Sequence, residues 1–139
     1  MHKVAHLSDV HFGRVSSTYV PEALLEAVHA SDVDLVAVSG DLTQRAWPWE
    51  FRRAAAFLER FEPPVLVVPG NHDVYPWWRP FARLSRPLHR FRTFISENMR
   101  PRFRRDGLAV LGLNSAHGWT IKNGWIEEDD VEAMHAFYE

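Results

Sequence analysis

Apolar positions along the chain alternate between short continuous runs and helical repeats. Val4 to Ser8 is short, mostly apolar and closely followed by Gly13, which suits a strand running into a loop. In "VPEALLEAVHA", Pro21 fits a first helical turn, and Leu24, Leu25 and Val28 share one face at helical spacing. "DLVAVSGD" repeats the first pattern: Leu35 to Val38 form a nearly continuous apolar run, as expected of a strand covered on both faces. In "WEFRRAAAFLERF", Phe51, Ala54, Ala55 and Leu58 follow i, i+3, i+4, i+7, and Pro63 and Pro64 close this second helix. "VLVVPGNHD" supplies a third strand and its loop. Three strands alternating with two helices read as βαβαβ, an α/β start whose crossovers make neighbouring strands parallel.

The pattern is less regular after this point. Residues 75–105 mix arginines, aromatics and prolines and are expected to form one or two helices of an Arg-rich insertion over the sheet. Asp106-Gly107 in "FRRDGLAVLGLNS" is a hairpin signal between two short strands. The last segment, "IEEDDVEAMHAFYE", fits a helix with Val131, Met134, His135 and Tyr138 on one apolar face, where His135 reads as a core histidine. Acids at its start favour the helix dipole. The pattern carries no stop signal, so residues 1–139 are expected to be the N-terminal part of a larger domain. Apolar surface left uncovered by such a truncation would favour self-association.

Composition narrows the chemistry. A length of 139 residues suits one domain, and 46% hydrophobic with 24% charged residues is the balance of a globular chain. The absence of cysteine excludes disulfides, thiolate metal sites and cysteine nucleophiles, so a transition metal would need nitrogen and oxygen ligands. No apolar run approaches a membrane helix and the N-terminus lacks a signal-peptide core, so a cytoplasmic location away from the membrane is expected. The net charge of −2 gives no general attraction for nucleic acid.

The chemistry lies in three loops. In a parallel αβ sheet the loops after the carboxyl ends of the strands open on one edge, where ligands bind. Here those loops read "SDVHFG", "SGDLTQR" and "PGNHDVY" and bring Asp9 and His11, then Asp41, then Asn71, His72 and Asp73. Residues i and i+2 of an extended segment point the same way, so Asp9 and His11 are placed to hold one ion together. Gly40 and Gly70 suit close backbone approach or positive φ just ahead of Asp41 and Asn71. Taken singly, each residue has a plain structural reading, as a turn cap, a strand end or a left-handed asparagine. Three successive strand ends with metal-binding groups favour the metal reading.

Asp-x-His, Gly-Asp and Gly-Asn-His-Asp, in this order and each after a strand, resemble the first three motifs of the calcineurin-like metallophosphoesterases. "LAVLGLNSAHG" followed by an acidic helix is similar to the branch containing class III cyclic nucleotide phosphodiesterases. The resemblance implies the start of a four-layer αββα sandwich and a site for two divalent or trivalent transition metal ions, manganese, iron or zinc. It implies that Asp9 and His11 bind the first ion, Asp41 bridges both and Asn71 binds the second. His72 would be a catalytic imidazole near the leaving oxygen, with Asp73 orienting it. The substrate class implied is a phosphate ester, with cyclic nucleotides one candidate.

The family's later histidine and Gly-His-x-His motif are missing. Of the histidines after Asp73, namely His89, His117 and His135, none stands in such a motif, and His117 reads as a loop residue. This departure keeps open a non-catalytic interaction scaffold on a degenerate phosphoesterase fold. Nine of the fourteen arginines fall between Arg79 and Arg105, interleaved with phenylalanines. They are expected to be a solvated helical face, with a basic wall for a nucleic-acid strand as the alternative. Trp47, Trp49, Trp77 and Trp78 follow the second and third loops and could stack on a nucleobase or fill a core.

Overall fold

A computed structural model describes residues 1–14, 19–119 and 123–139. The expected βαβαβ unit is present. Strand β1 (Val4–Leu7), helix α1 (Tyr19–Ala30), strand β2 (Leu35–Ser39), helix α2 (Pro48–Leu58) and strand β3 (Val65–Val68) follow one another. The sheet order is β1-β2-β3 and both pairings are parallel, with Val4 opposite Leu35 and Val36 opposite Val65. In the central strand, neighbours Leu35 and Val36 point to opposite faces and both are buried, which explains the unbroken apolar run. The main core gathers Val36, Val38 and Val67 with Leu25 and Val28 of α1 and Phe51, Ala54 and Phe57 of α2.

Helix α2 begins where Pro48 needs no amide partner, and the Glu50 carboxylate accepts the Trp47 amide at 3.0 Å. A single 3₁₀ turn covers Asn71–Asp73. Residues 75–105 contain α3 (Pro80–Ser85) and α4 (His89–Phe94) and end in strand β4 (Arg102–Arg105). Phe91 of α4 is fully buried and meets Phe51 edge to face at 6.4 Å. The arginines of this stretch are therefore not simply a solvated face. Arg90 donates to the Ala46 carbonyl at 2.7 Å, Arg83 to the Gly118 carbonyl at 2.8 Å, and Arg100 to Asp130 at 2.5 Å. Arg104 bonds the Phe137 carbonyl and Arg105 pairs with Asp34. The guanidinium groups of these five arginines are spent on internal acceptors rather than held free for a polyanion.

Strand β4 pairs antiparallel with β5 (Leu108–Leu111) across Asp106-Gly107, and Gly107 takes the positive φ (+81°) that the turn needs. Gly112, just past β5, lies so close to Val68 and Leu66 that a Cβ would come within 2.7 and 2.9 Å of them. The hairpin thus packs beside β3.

Helix α5 (Glu128–Tyr138) forms where expected, but with a different face inward. Asp130 and Phe137 are buried, whereas Val131, Met134, His135 and Tyr138 are exposed. His135 is not a core histidine. The helix is anchored instead by the Asp130 ion pair with Arg100, and Phe137 lies beneath the guanidinium of Arg104, 4.8 Å from its ring centroid. Among the described residues, no helix is long and apolar enough to cross a membrane.

Candidate metal centre

The loops after β1 and β2 stay hydrogen-bonded to each other after the strands end. His11 N–H donates to the Asp41 carbonyl at 2.9 Å, Phe12 N–H to Leu42 at 2.8 Å, and Gln44 N–H to Phe12 at 3.0 Å. This zipper places His11 and Asp41 side by side. The third loop joins through Gly40 and Gly70: a Cβ on Gly40 would meet the Gly70 Cα at 2.8 Å, and one on Gly70 would lie 2.1 Å from Asp41 Oδ1. Close approach holds for both glycines, and positive φ for Gly40 alone, at +85° against −108° for Gly70.

Asp9, His11 and Asp41 adopt left-handed backbone, with φ of 56°, 49° and 53°. Non-glycine residues there are uncommon and persist where surrounding contacts impose them, often at functional sites. The alignment of Asp9 with His11 is therefore not the i, i+2 register of an extended strand. The strand ends at Leu7, and two left-handed turns re-aim the side chains.

His11 Nε2 stands 3.6 Å from Asp9 Oδ1 and 3.8 Å from Asp41 Oδ2. The rings of His11 and His72 meet edge to face at 4.8 Å. Donor atoms of His11, Asp41 and His72 all fall within 4.8 Å of one another. Asn71 is exposed at the start of the third loop, one residue before His72. His117 stands apart from it, with Nε2 2.9 Å from the Trp125 carbonyl.

The donor set fits a cation. The two carboxylate separations from His11 Nε2 are too long for hydrogen bonds. Donors sharing one ion through bonds of about 2.1 Å lie about 3.0 to 3.4 Å apart, close to the arrangement found. The buried His11 Nδ1 also has no partner among the described residues. Gly70 leaves the space that keeps Asp41 Oδ1 in place.

Asp73, for which the resemblance implies a role in orienting His72, bonds the backbone of the loops and Thr43. Asp73 is buried, and its carboxylate accepts from the amides of Gly70 (3.0 Å), Leu42 (3.2 Å) and Thr43 (2.9 Å) and from the Thr43 hydroxyl (2.8 Å). With its lone pairs occupied by the second loop, it ties the second and third loops together rather than reaching the imidazole. Burial pushes its carboxyl up to about 6, opposed by these hydrogen bonds. The His72 ring is oriented by Nδ1–H donating to the Gln44 carbonyl at 2.8 Å, which leaves Nε2 available.

Thr43 and Gln44 thus belong to the site although sequence reasoning singled out neither. Thr43 is fully buried and accepts the Ala46 amide at 3.1 Å while bonding Asp73. The one signal available was their position immediately after Asp41.

The chain matches the calcineurin-like phosphoesterase family over residues 2–136, and it belongs to that family. It is 26% identical over 139 residues to a probable cyclic nucleotide phosphodiesterase of Fibrobacter succinogenes, covering 94% of this chain and 52% of that protein. It is 29% identical over 143 residues to the glycerophosphodiester phosphodiesterase GpdQ of Enterobacter lignolyticus, covering 96% of this chain and 50% of that one. A shorter match, 35% over 57 residues, is to the 3',5'-cyclic adenosine monophosphate phosphodiesterase CpdA of Escherichia coli, covering 40% of this chain and 21% of CpdA. The chain spans about half the length of the first two relatives.

Proposed function

We propose that this chain carries the metal-binding part of a phosphodiesterase that hydrolyses a phosphate ester of small-molecule size. The observation that carries the reading is the convergence of His11, Asp41 and His72 from three successive loops into one group. Asp9 and His11 would hold one ion, Asp41 would bridge to a second, and Asn71 would complete that second position. A pair of manganese, iron or zinc ions would polarise a phosphoryl oxygen and supply an activated water at neutral pH.

The remaining work belongs to the chain's own groups. Asp41 Oδ1 is held by the His72 amide at 3.0 Å, so the carboxylate keeps one orientation while Oδ2 faces His11. With Nδ1–H fixed on Gln44, His72 Nε2 can deliver a proton or a hydrogen bond to the departing alkoxide. Asp73 keeps the second and third loops in register, and with them Asp41 and His72. Hydrolysis of bis(p-nitrophenyl) phosphate with added manganese tests the reading: turnover that disappears in Asp41→Asn supports it, and turnover equal in both proteins overturns it.

A further inference from the structure

Arg90 of α4 reaches both the loop that carries His72 and the loop that supports its ring. Its Nη1 donates to the Ala46 carbonyl at 2.7 Å, and its guanidinium lies 4.7 Å from the ring centroid of Tyr75 and 5.8 Å from that of Trp47. Ala46 and Trp47 follow Gln44 in the second loop, and Tyr75 follows His72 in the third. Among the described residues no carboxylate stands within ion-pair distance of Arg90, so its planar fork is spent on a backbone carbonyl and two aromatic rings. Ala46 is buried and holds φ of +55°, a left-handed conformation that persists at a non-glycine residue only where its neighbours impose it. Those neighbours are identifiable. Thr43 Oγ1 accepts the Ala46 amide at 3.1 Å, the Glu50 carboxylate accepts the Arg45 and Trp47 amides at 3.0 Å each, and Arg90 takes the Ala46 carbonyl.

We infer that Arg90 is a positioning residue for the proton delivery assigned to His72, an inference that rests on the phosphodiesterase reading of the site. The His72 ring is aimed by its Nδ1–H on the Gln44 carbonyl, so the direction of that carbonyl sets the direction of Nε2. The carbonyl in turn depends on the strained turn two residues on. With the Ala46 carbonyl released, the turn has a route back to the common right-handed region, and the peptide groups before it rotate as it goes. Through Tyr75 the same guanidinium bears on the third loop, three residues past His72. Arg90 therefore brackets the junction that the His72–Gln44 hydrogen bond closes. A misplacement of about 1 Å in a reacting group is enough to cost about 10²-fold in rate.

The test is a double-mutant cycle on the full chain with added manganese, read on two substrates. Arg90→Met is expected to lower kcat on an alkyl phosphodiester by roughly 10- to 10²-fold and to leave turnover of bis(p-nitrophenyl) phosphate, whose leaving group needs no proton, nearly unchanged. Added to His72→Ala, it should cost nothing further on either substrate. Additive losses in the double variant, or equal losses on both substrates, would make Arg90 a general strut of the fold and overturn the assignment. Arg90→Lys keeps a donor for Ala46 without the planar fork on Tyr75, and is expected to recover part of the loss with the same preference for the alkyl substrate. It carries the cycle if Arg90→Met does not fold, and equal losses on both substrates would count against the assignment there too. A readout without turnover separates this inference from the phosphodiesterase reading: the ring nitrogen NMR shifts of His72 in chelated protein at pH 8.5, assigned with His72→Gln. The parent ring should be the Nδ1–H tautomer, and the Arg90→Met ring a mixture of both. That pair of results keeps Arg90 as the residue that aims His72 even if neither ester is hydrolysed, whereas a tautomer unchanged by Arg90→Met, or a parent ring without Nδ1–H, removes it.

Discussion

The amide of His72 donates to Asp41 Oδ1 at 3.0 Å, so a residue from the third loop fixes the carboxylate of the second. Since the Gly70 position abuts the same oxygen, loop packing and ligand placement are one structural problem. Adding a methyl group at Gly70 would put a Cβ 2.1 Å from Asp41 Oδ1 and 2.3 Å from its amide. Gly70→Ala is expected to destabilise the fold by about 1 to 3 kcal/mol and to weaken manganese binding. Urea unfolding and equilibrium dialysis would check the two effects, and an alanine variant with parental stability and affinity would show that the loops have room to spare.

Thr43 offers a sharper probe of the same junction. Thr43→Val keeps the shape but removes the hydroxyl that donates to Asp73 and accepts from Ala46. Leaving buried polar groups unpaired should cost about 1 to 3 kcal/mol. Chemical denaturation of the variant measures it directly, and Thr43→Ser should recover most of the loss.

Asp73 makes the stability of the metal-free chain depend on pH. Its folded value of about 6 lies above the ordinary 3.8, so the folded state binds a proton that the unfolded state releases. The associated stability is fully present below the unfolded value and is lost as the pH rises through about 6, on the order of 3 kcal/mol at most. Urea unfolding of chelated protein should therefore show an Asp73-dependent fall in stability from about pH 3 to 7. Subtracting the profile of Asp73→Asn isolates the contribution. A difference profile that rises with pH would mean that the four hydrogen bonds to the carboxylate outweigh its burial.

His72 should matter most when the leaving group is a poor one. With an alkyl phosphodiester, His72→Ala is expected to lower kcat by roughly 10² to 10⁴, the usual worth of a placed general acid. With p-nitrophenolate, which departs without a proton, the loss should be much smaller. Similar losses on both substrates would assign the imidazole to metal binding instead.

The strands and the order of the three loops were legible in the sequence because short apolar runs ending in Gly or Ser are local signals. The Asp106-Gly107 hairpin was legible for the same reason. Asp9 and His11 do lie side by side, but by a geometry the sequence does not show, since left-handed φ at non-glycine residues has no sequence mark. The partners of Asp73 and His72 were not legible at all. Apart from the nearby Gly70 amide, they are groups of Leu42, Thr43 and Gln44, which become neighbours only after the loops converge. Helix α5 misled because its periodic face of Val131, Met134 and Tyr138 is exposed among the described residues, while an ion pair buries Asp130.

The most direct test of the central claim is the metal content of the purified chain after dialysis against manganese, compared with Asp41→Asn and His11→Ala. We expect at least one ion retained per chain in the parent protein and a loss of most of that metal in both variants, with their far-UV circular dichroism unchanged. A parent chain that keeps no manganese, iron or zinc, or variants that keep as much as the parent, would contradict the assignment of these three loops as a metal centre.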